Sequence, residues 1–153
     1  MRASASARLS AAPGAVFAVI ADLTTWPRWL DVVTRVTPDG ERAWRVRLGV
    51  KLGPVDLGRD VRLVATTFDE PARVVVEREE LDGRPDHSPI EIAVDVVAVT
   101  DAGDGVAASD VTLAAHVGKR LPFVDLQGEI ERRGPAALRA LERVVRDGTR
   151  HAD

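Results

Sequence analysis

Between residues 44 and 117 the chain alternates apolar and polar positions with a period of two. This pattern indicates β-strands that bury one face and leave the other in water. Turn sequences rich in Gly, Pro and Asp, such as Gly53-Pro54 and Gly103-Asp104-Gly105, separate the alternating runs. Short turns between successive strands predict an antiparallel sheet. Strands are predicted at about 2–10, 32–36, 44–50, 55–65, 74–81, 90–96 and 106–117.

An N-terminal segment has apolar residues at helical rather than strand spacing. Residues 13–22 are predicted to form a helix, with Pro13 tolerated in its first turn. Its apolar face comprises Val16, Phe17, Ile20 and Leu23. The alternative is a secretory signal peptide, since basic residues precede the run. The run is short and follows Pro13-Gly14, which favours the helix and a cytoplasmic protein.

Two further helices are predicted, one short and one long. Thr25 is expected to cap the short helix, which carries Trp26 and Trp29 on one side. Near the C-terminus a helical period returns, and Gly134-Pro135 within it predicts a kink or a break. The apolar face of this long helix comprises Leu126, Ile130, Ala137, Leu138, Leu141, Val144 and Val145. Its arginine-rich face has Glu and Asp neighbours, so we expect it to be solvated.

Composition and charge narrow the class of protein. The 153 residues are 45% hydrophobic and 29% charged, as in a single globular domain spanning 1–153 with a core of about 2–147. The absence of Cys excludes disulfides and thiolate metal sites. A net charge of −3 argues against a nucleic-acid partner. No run reaches the ~18 apolar residues of an integral membrane segment. The sequence does not reveal the oligomeric state.

The predicted order is one strand, two helices, about six strands and a long C-terminal helix. The long helix is the obvious cover for the apolar face of the sheet, and incomplete closure leaves a cavity between them. Val16-Phe17-Ala18-Val19-Ile20-Ala21-Asp22, followed by Trp26-Pro27-Arg28-Trp29, resembles the first two helices of the START-like helix-grip superfamily (SRPBCC). The turn Phe68-Asp69-Glu70-Pro71-Ala72-Arg73 is similar to that family's hairpin after the fourth strand. This group includes polyketide cyclases/dehydrases and lipid-transfer proteins.

The resemblance, which covers about residues 2–147, implies an α+β helix-grip fold: a curved antiparallel sheet of about seven strands around the C-terminal helix. It also implies a binding or transport protein for a hydrophobic small molecule of lipid, polyketide or isoprenoid type, with no cofactor. One alternative is a polyketide cyclase, aromatase or dehydratase that uses the same cavity. Another is a co-chaperone-like or accessory interaction protein. The expected cavity walls are Trp29, Trp44, Val46, Val61, Leu63, Val76, Ile92, Val94, Val111, Leu113, Phe123, Leu126 and Ile130.

Three charged residues share strand parity with apolar neighbours, and we expect them to orient a ligand: Arg59, Arg78 and Glu80. If the turn at 69–72 pairs Thr67 with Val74, Leu63 faces Arg78, and Arg59 lies diagonal to Glu80. The alternative is that these side chains sit at strand ends and reach the rim, or that a bulge shifts their face. On the other face, Arg62 is expected to oppose Glu79 as a solvent-exposed pair of little value.

Candidate catalytic groups are few. Glu80 is the best carboxylate and, with Arg78 and Arg59, forms a weak catalytic set. The chain has no Tyr, no G-x-S-x-G elbow and no P-loop. His116 is expected to point away from the cavity, and the three histidines, His87, His116 and His151, have no ligand spacing, so no metal is expected. Trp29 is expected either to face a ligand or, with Trp26, to fasten the short helix to the sheet.

Overall fold

The computed structural model describes residues 2–52, 54–79, 89–99, 107–117 and 126–151. Within them a seven-stranded antiparallel sheet has the spatial order β1-β7-β6-β5-β4-β3-β2. The predicted fold, a curved sheet with a C-terminal helix, is therefore confirmed. The strands are β1 (Arg2–Leu9), β2 (Val33–Pro38), β3 (Ala43–Leu52), β4 (Val55–Asp69), β5 (Arg73–Arg78), β6 (Ile90–Ala98) and β7 (Ser109–Val117).

Helix α1 (Pro13–Ile20) and a 3-10 helix (Leu23–Arg28) lie between β1 and β2. In α1, Pro13 occupies the first turn as predicted, and Val16, Phe17 and Ile20 are buried. The predicted cap of the second helix is wrong. Asp22 is the N-cap, and its Oδ1 accepts from the Thr24 backbone N–H at 3.1 Å and from the Thr24 hydroxyl at 2.6 Å.

Thr25 lies inside the 3-10 helix instead, where it ties the two helices together. Its hydroxyl contacts the carbonyl oxygen of Val19 at 2.9 Å and that of Asp22 at 2.8 Å. The carboxylate of Asp22 sits one residue before the helix, where it can reach the free N–H groups of the first turn. Asp and Thr are both good N-cap residues, so residue type alone does not separate Asp22 from Thr25.

Helix α2 (Leu126–His151) continues through Gly134 and Pro135, so the expected break does not occur. Pro135 is exposed, and Gly134 is buried against β1. A Cβ at Gly134 would lie 2.4 Å from the Ala5 Cβ, so only glycine lets the helix come this close to the strand. The helix thus continues through Pro135 at the place where its neighbour Gly134 packs against β1. None of the helices in the described ranges is long and apolar enough to cross a membrane.

Candidate ligand-binding site

One face of the sheet and the inner face of α2 form a continuous aliphatic surface. Residues directly opposite each other in an antiparallel ladder share a face, which places Val46 with Val61 and Val94 with Leu113. Of the predicted wall residues, the following are buried and belong to a single hydrophobic cluster: Trp29, Trp44, Val46, Val61, Leu63, Val76, Ile92, Val94, Val111, Leu113 and Ile130. Leu126 begins α2, and Phe123 lies outside the described residues.

Arg59 and Arg78 lie on this same face of the sheet. Arg59 is paired with the buried Leu48, and Arg78 with the buried Leu63. Arg78 is half-buried and Arg59 is exposed. Burial, and then the positive charge of Arg59, lower the pKa of the Arg78 guanidinium. The two guanidiniums therefore repel each other, and an anionic group near both would be stabilised there.

The predicted pairing of Leu63 with Arg78 is correct, although the premise behind it is wrong. Thr67 pairs with Val75 and not with Val74, and the register shifts between Ala65 and Thr67. The extra residue, Thr66, restores the predicted alignment further along the strand. Glu80, the carboxylate expected near Arg59, lies outside the described residues.

The two tryptophans of the 3-10 helix region are both buried and in contact, with ring centroids 5.3 Å apart and planes tilted by 57°. The Trp26 Nε1 donates to the Ile20 carbonyl oxygen at 3.0 Å, which fixes the helix against the end of α1. The Trp29 Nε1 is also buried, but no hydrogen-bond partner for it is found among the described residues. Trp26 therefore anchors the helix, whereas Trp29 keeps an unused donor.

The opposite face of the sheet carries most of the charge. Arg62 does pair with Glu79, as predicted, but it also donates to the Asp39 carboxylate at 3.0 Å and the Asp39 carbonyl oxygen at 2.8 Å. The Arg62 and Arg45 guanidiniums hold the pKa of Asp39 below its ordinary value. The pair is thus part of a network joining the β2–β3 turn to β4 and β5, and not the isolated pair we expected.

A second polar row crosses the same outer face. Glu91 is opposite both Glu77 on β5 and His116 on β7. Burial, followed by a hydrogen bond that protonated Glu77 donates to Glu91 and by the negative charge of Glu91, raises the pKa of Glu77. His116 alternates with buried Leu113 and Ala115 neighbours, as expected for an outward side chain. Within the described ranges no group of His, Asp or Glu is arranged to hold a metal ion, and His87 lies outside them.

A cleft that the sequence did not predict lies between the 3-10 helix and α2. It has a volume of about 410 Å³. Residues from both sides line it: Arg28, Trp29, Leu30, Asp31, Val32, Arg133, Ala136, Ala137, Ala140 and Arg143. The helical spacing of Arg133, Ala137, Ala140 and Arg143 could have indicated a shallow stripe on α2. Which element faces that stripe depends on tertiary packing.

Solved structures share this fold at low sequence identity. A START superfamily protein from Mycobacterium smegmatis superposes with a TM-score of 0.70 and 12% identity, covering 95% of this chain and 97% of that one. A conserved protein from Geobacillus kaustophilus gives a TM-score of 0.67 and 15% identity, covering 96% of each chain. A norcoclaurine synthase point mutant from Thalictrum, in complex with a transition-state analogue, gives 0.60 and 12%, covering 97% and 96%.

None of the curated proteins compared with the chain matches it. The family model described as "Polyketide cyclase / dehydrase and lipid transport" matches residues 1–152, nearly the whole sequence. Together with the seven-stranded sheet and the C-terminal helix, this match identifies the chain as a member of the polyketide cyclase/dehydrase and lipid-transport family.

Proposed function

We propose that the protein binds a hydrophobic small molecule, of lipid, polyketide or isoprenoid type, between the sheet and α2. The observation that carries this proposal is an aliphatic sheet face whose charged exceptions among the described residues are Arg59 and Arg78, close enough for the charge of Arg59 to lower the pKa of Arg78. Binding sites for small molecules combine apolar walls with a few polar groups that orient the ligand. The family match supports a hydrophobic ligand in general, and the wall and orienting residues are our proposal.

In this proposal the apolar body of the ligand lies against the buried aliphatic residues, and its polar end faces the two guanidiniums. Arginine donates well to carboxylate and phosphate oxygens. An amphipathic anion such as a fatty acid therefore fits better than a neutral hydrocarbon.

Native mass spectrometry of the purified protein, with extraction of any bound species, tests the proposal directly. We expect a reproducible hydrophobic species, and binding of the neutral fluorescent probe N-phenyl-1-naphthylamine that oleate displaces. Arg78→Gln should weaken oleate about fivefold or more and leave the neutral probe unaffected. Arg35→Gln, an exposed arginine on β2, is the matched control.

A second test enlarges a side chain on the proposed ligand-facing side of the sheet, so that less room is left for the ligand. Val76→Phe enlarges a buried residue on the ligand-facing side, whereas Val97→Phe enlarges a residue that is 61% exposed. If circular dichroism shows both variants folded, only Val76→Phe should reduce probe binding. Failure of the probe to bind, with no extracted species, would overturn the proposal.

A cyclase or dehydratase working in the same cavity is the second candidate, and the family description favours it. Catalysis would then rest largely on orientation and exclusion of water. With an identified substrate, Glu80→Gln should abolish turnover and keep binding. Unchanged turnover in this variant would remove Glu80 as the acid–base group.

An interaction protein, the third alternative, would need an exposed apolar patch. In the part of the chain that the structure describes, Val97 is the one large hydrophobic side chain that is exposed. This observation favours a ligand over a protein partner.

A further inference from the structure

The cleft between the 3-10 helix and α2 combines three features that point to a ligand. Its α2 side carries three small apolar residues: Ala136, which is exposed, Ala140, which is half-buried, and Ala137, which is buried. Its rim is positively charged. Trp29, which forms part of its wall, is 2% exposed and has an indole N–H without an acceptor among the described residues.

The rim carries Arg28, Arg133 and Arg143 against the single carboxylate of Asp31. Arg133 engages Asp31 at 3.3 Å, so that carboxylate is already neutralised by one guanidinium. Arg28 and Arg143 are exposed, and no ion pair joins either of them to another described residue. A net of two positive charges therefore borders the cleft of a protein whose net charge is −3.

The unused N–H of Trp29 adds a directional group to this charge. Buried donors without an acceptor are rare, because each loses its hydrogen bond to water and gains nothing in return. Three residues earlier, in the 3-10 helix that Trp29 ends, Trp26 does have an acceptor, the Ile20 carbonyl oxygen at 3.0 Å. Because this nitrogen is shielded from solvent in the ligand-free protein, an oxyanion that pairs with the guanidiniums accepts from the indole once the indole or its neighbours shift on binding.

We infer that this cleft is a second binding site for a small oxyanion that carries a short apolar group. It is distinct from the concave face, by which we mean the aliphatic sheet face that carries Arg59 and Arg78. The chemical class is a carboxylate or phosphate on an aliphatic body. The oxyanion accepts from the Trp29 indole and lies between Arg28 and Arg143, and the aliphatic part lies on Ala136 and Ala140. A volume of about 410 Å³ suits such a molecule.

The Trp29 indole N–H is itself the reporter for the test. The chain has three tryptophans, so a ¹⁵N-labelled sample gives few indole signals, and Trp29→Phe assigns the one from Trp29. We expect octanoate to move this signal in a saturable manner, and neutral octanol not to do so. Inorganic phosphate separates the two sources of oxyanion: a saturable shift with phosphate alone assigns phosphate recognition, and a shift only with octanoate assigns a carboxylate amphiphile.

Arg28→Gln and Arg143→Gln should each weaken octanoate about fivefold by this readout, as expected for partly exposed charge pairs. Arg146→Gln is the matched control, since Arg146 is an exposed α2 arginine that pairs with Glu142 and does not line the cleft. An unmoved indole signal, or an affinity in both cleft variants equal to that of the parent, would overturn the inference.

The experiment can overturn either of the two proposed sites without overturning the other. A shift abolished by Arg78→Gln but retained in Arg28→Gln and Arg143→Gln would place octanoate on the concave face, which overturns the second site and supports the first. A shift that is retained in Arg78→Gln but weakened in Arg28→Gln and Arg143→Gln supports the second site, whatever the outcome of the oleate experiment.

Discussion

Gly134 is the position at which α2 lies directly on β1. A Cβ there would come within 2.4 Å of the Ala5 Cβ, with the Ala5 backbone only 3.8 Å away. The strand backbone cannot yield as a flexible side chain would. At Gly148, on the same helix, an added Cβ would have nothing within 4 Å. The two glycines therefore lie on the same helix but differ in the space available for a side chain: Gly134 has none and Gly148 has ample room.

Gly134→Ala should lower the free energy of unfolding by about 1–3 kcal/mol, the usual cost of overpacking. Gly148→Ala should leave it unchanged or raise it by up to about 1 kcal/mol, because alanine is the better helix former. Urea denaturation of both variants measures the difference. Adding Ala5→Gly to Gly134→Ala should recover part of the loss, and absence of any recovery would show that the clash is not with Ala5.

Trp26 and Trp29 form a second matched pair, alike in burial but not in hydrogen bonding. Trp26→Phe removes the donor to the Ile20 carbonyl, whereas Trp29→Phe removes a donor that has no described acceptor. Because both lose the same volume, Trp26→Phe should be more destabilising by about 1 kcal/mol in ligand-free protein. Equal thermal unfolding temperatures of the two variants would contradict this expectation.

At the scale of elements, the period-two pattern between residues 44 and 117 was enough to predict β3 to β7 and their antiparallel pairing. Hydrophobic periodicity reports which side of a strand is buried, and that is decided locally. The errors lie where distant contacts decide. The bulge at Thr66 and the passage of α2 through Pro135 each depend on a neighbour that the local sequence does not reveal. The cap of the 3-10 helix is a local exception, since Asp22 bonds Thr24 two residues later and residue type alone does not separate it from Thr25.

The same distinction applies to the candidate site. The buried wall residues follow from parity and most were predicted, whereas the cleft beside Trp29 requires the relative position of two helices. Arg78 was predicted to face Leu63 and does so, because the bulge at Thr66 offsets the one-residue error in the predicted pairing of Thr67.

The Arg62 network joins three elements, and its strength can be compared with a single pair. Arg62 bonds both Asp39 and Glu79, and its side chain is 33% exposed. Arg45 bonds Asp39, and its side chain is 75% exposed. Arg62→Gln should therefore lower the urea midpoint more than Arg45→Gln does. Equal midpoints would mean that the network adds nothing to its separate pairs.

At the scale of the whole molecule, carboxyl groups on the outer sheet face give opposite pH dependences. Arg8 holds the pKa of Asp110 below its ordinary value through a bidentate contact, with distances of 3.0 and 3.3 Å. A lowered pKa contributes stability above the unfolded value of ~3.9, and this contribution is lost as the pH falls through the folded value. Asp39 behaves in the same way.

The contribution of Glu77 to stability has the opposite pH dependence, because burial and Glu91 raise its pKa. Its neutral form is favoured by folding, so its contribution is present below the unfolded value of ~4.3 and is lost as the pH rises through the folded value. These groups alone predict maximal stability in weakly acidic solution. The other charged or titratable neighbours on this face are His116, opposite Glu91 on β7, and Arg2, opposite His116 on β1. They also include the Arg62–Glu79 pair, two residues along β4 and β5, and the Arg73–Asp95 pair, four residues along β5 and β6.

Urea denaturation across pH 3–7 separates the two effects. Glu77→Gln should be more stable than the parent protein at pH 7, and the gain should disappear as the pH falls toward ~4, where the parent's Glu77 is neutral in both states. Arg8→Gln should be less stable than the parent at pH 7, with the deficit shrinking below pH ~4 as Asp110 is protonated. Glu41→Gln, an exposed glutamate before β3, is the control and should follow the parent. A Glu77→Gln gain that is constant with pH would assign its effect to packing rather than to ionisation, since only an ionisable group can make the difference depend on pH.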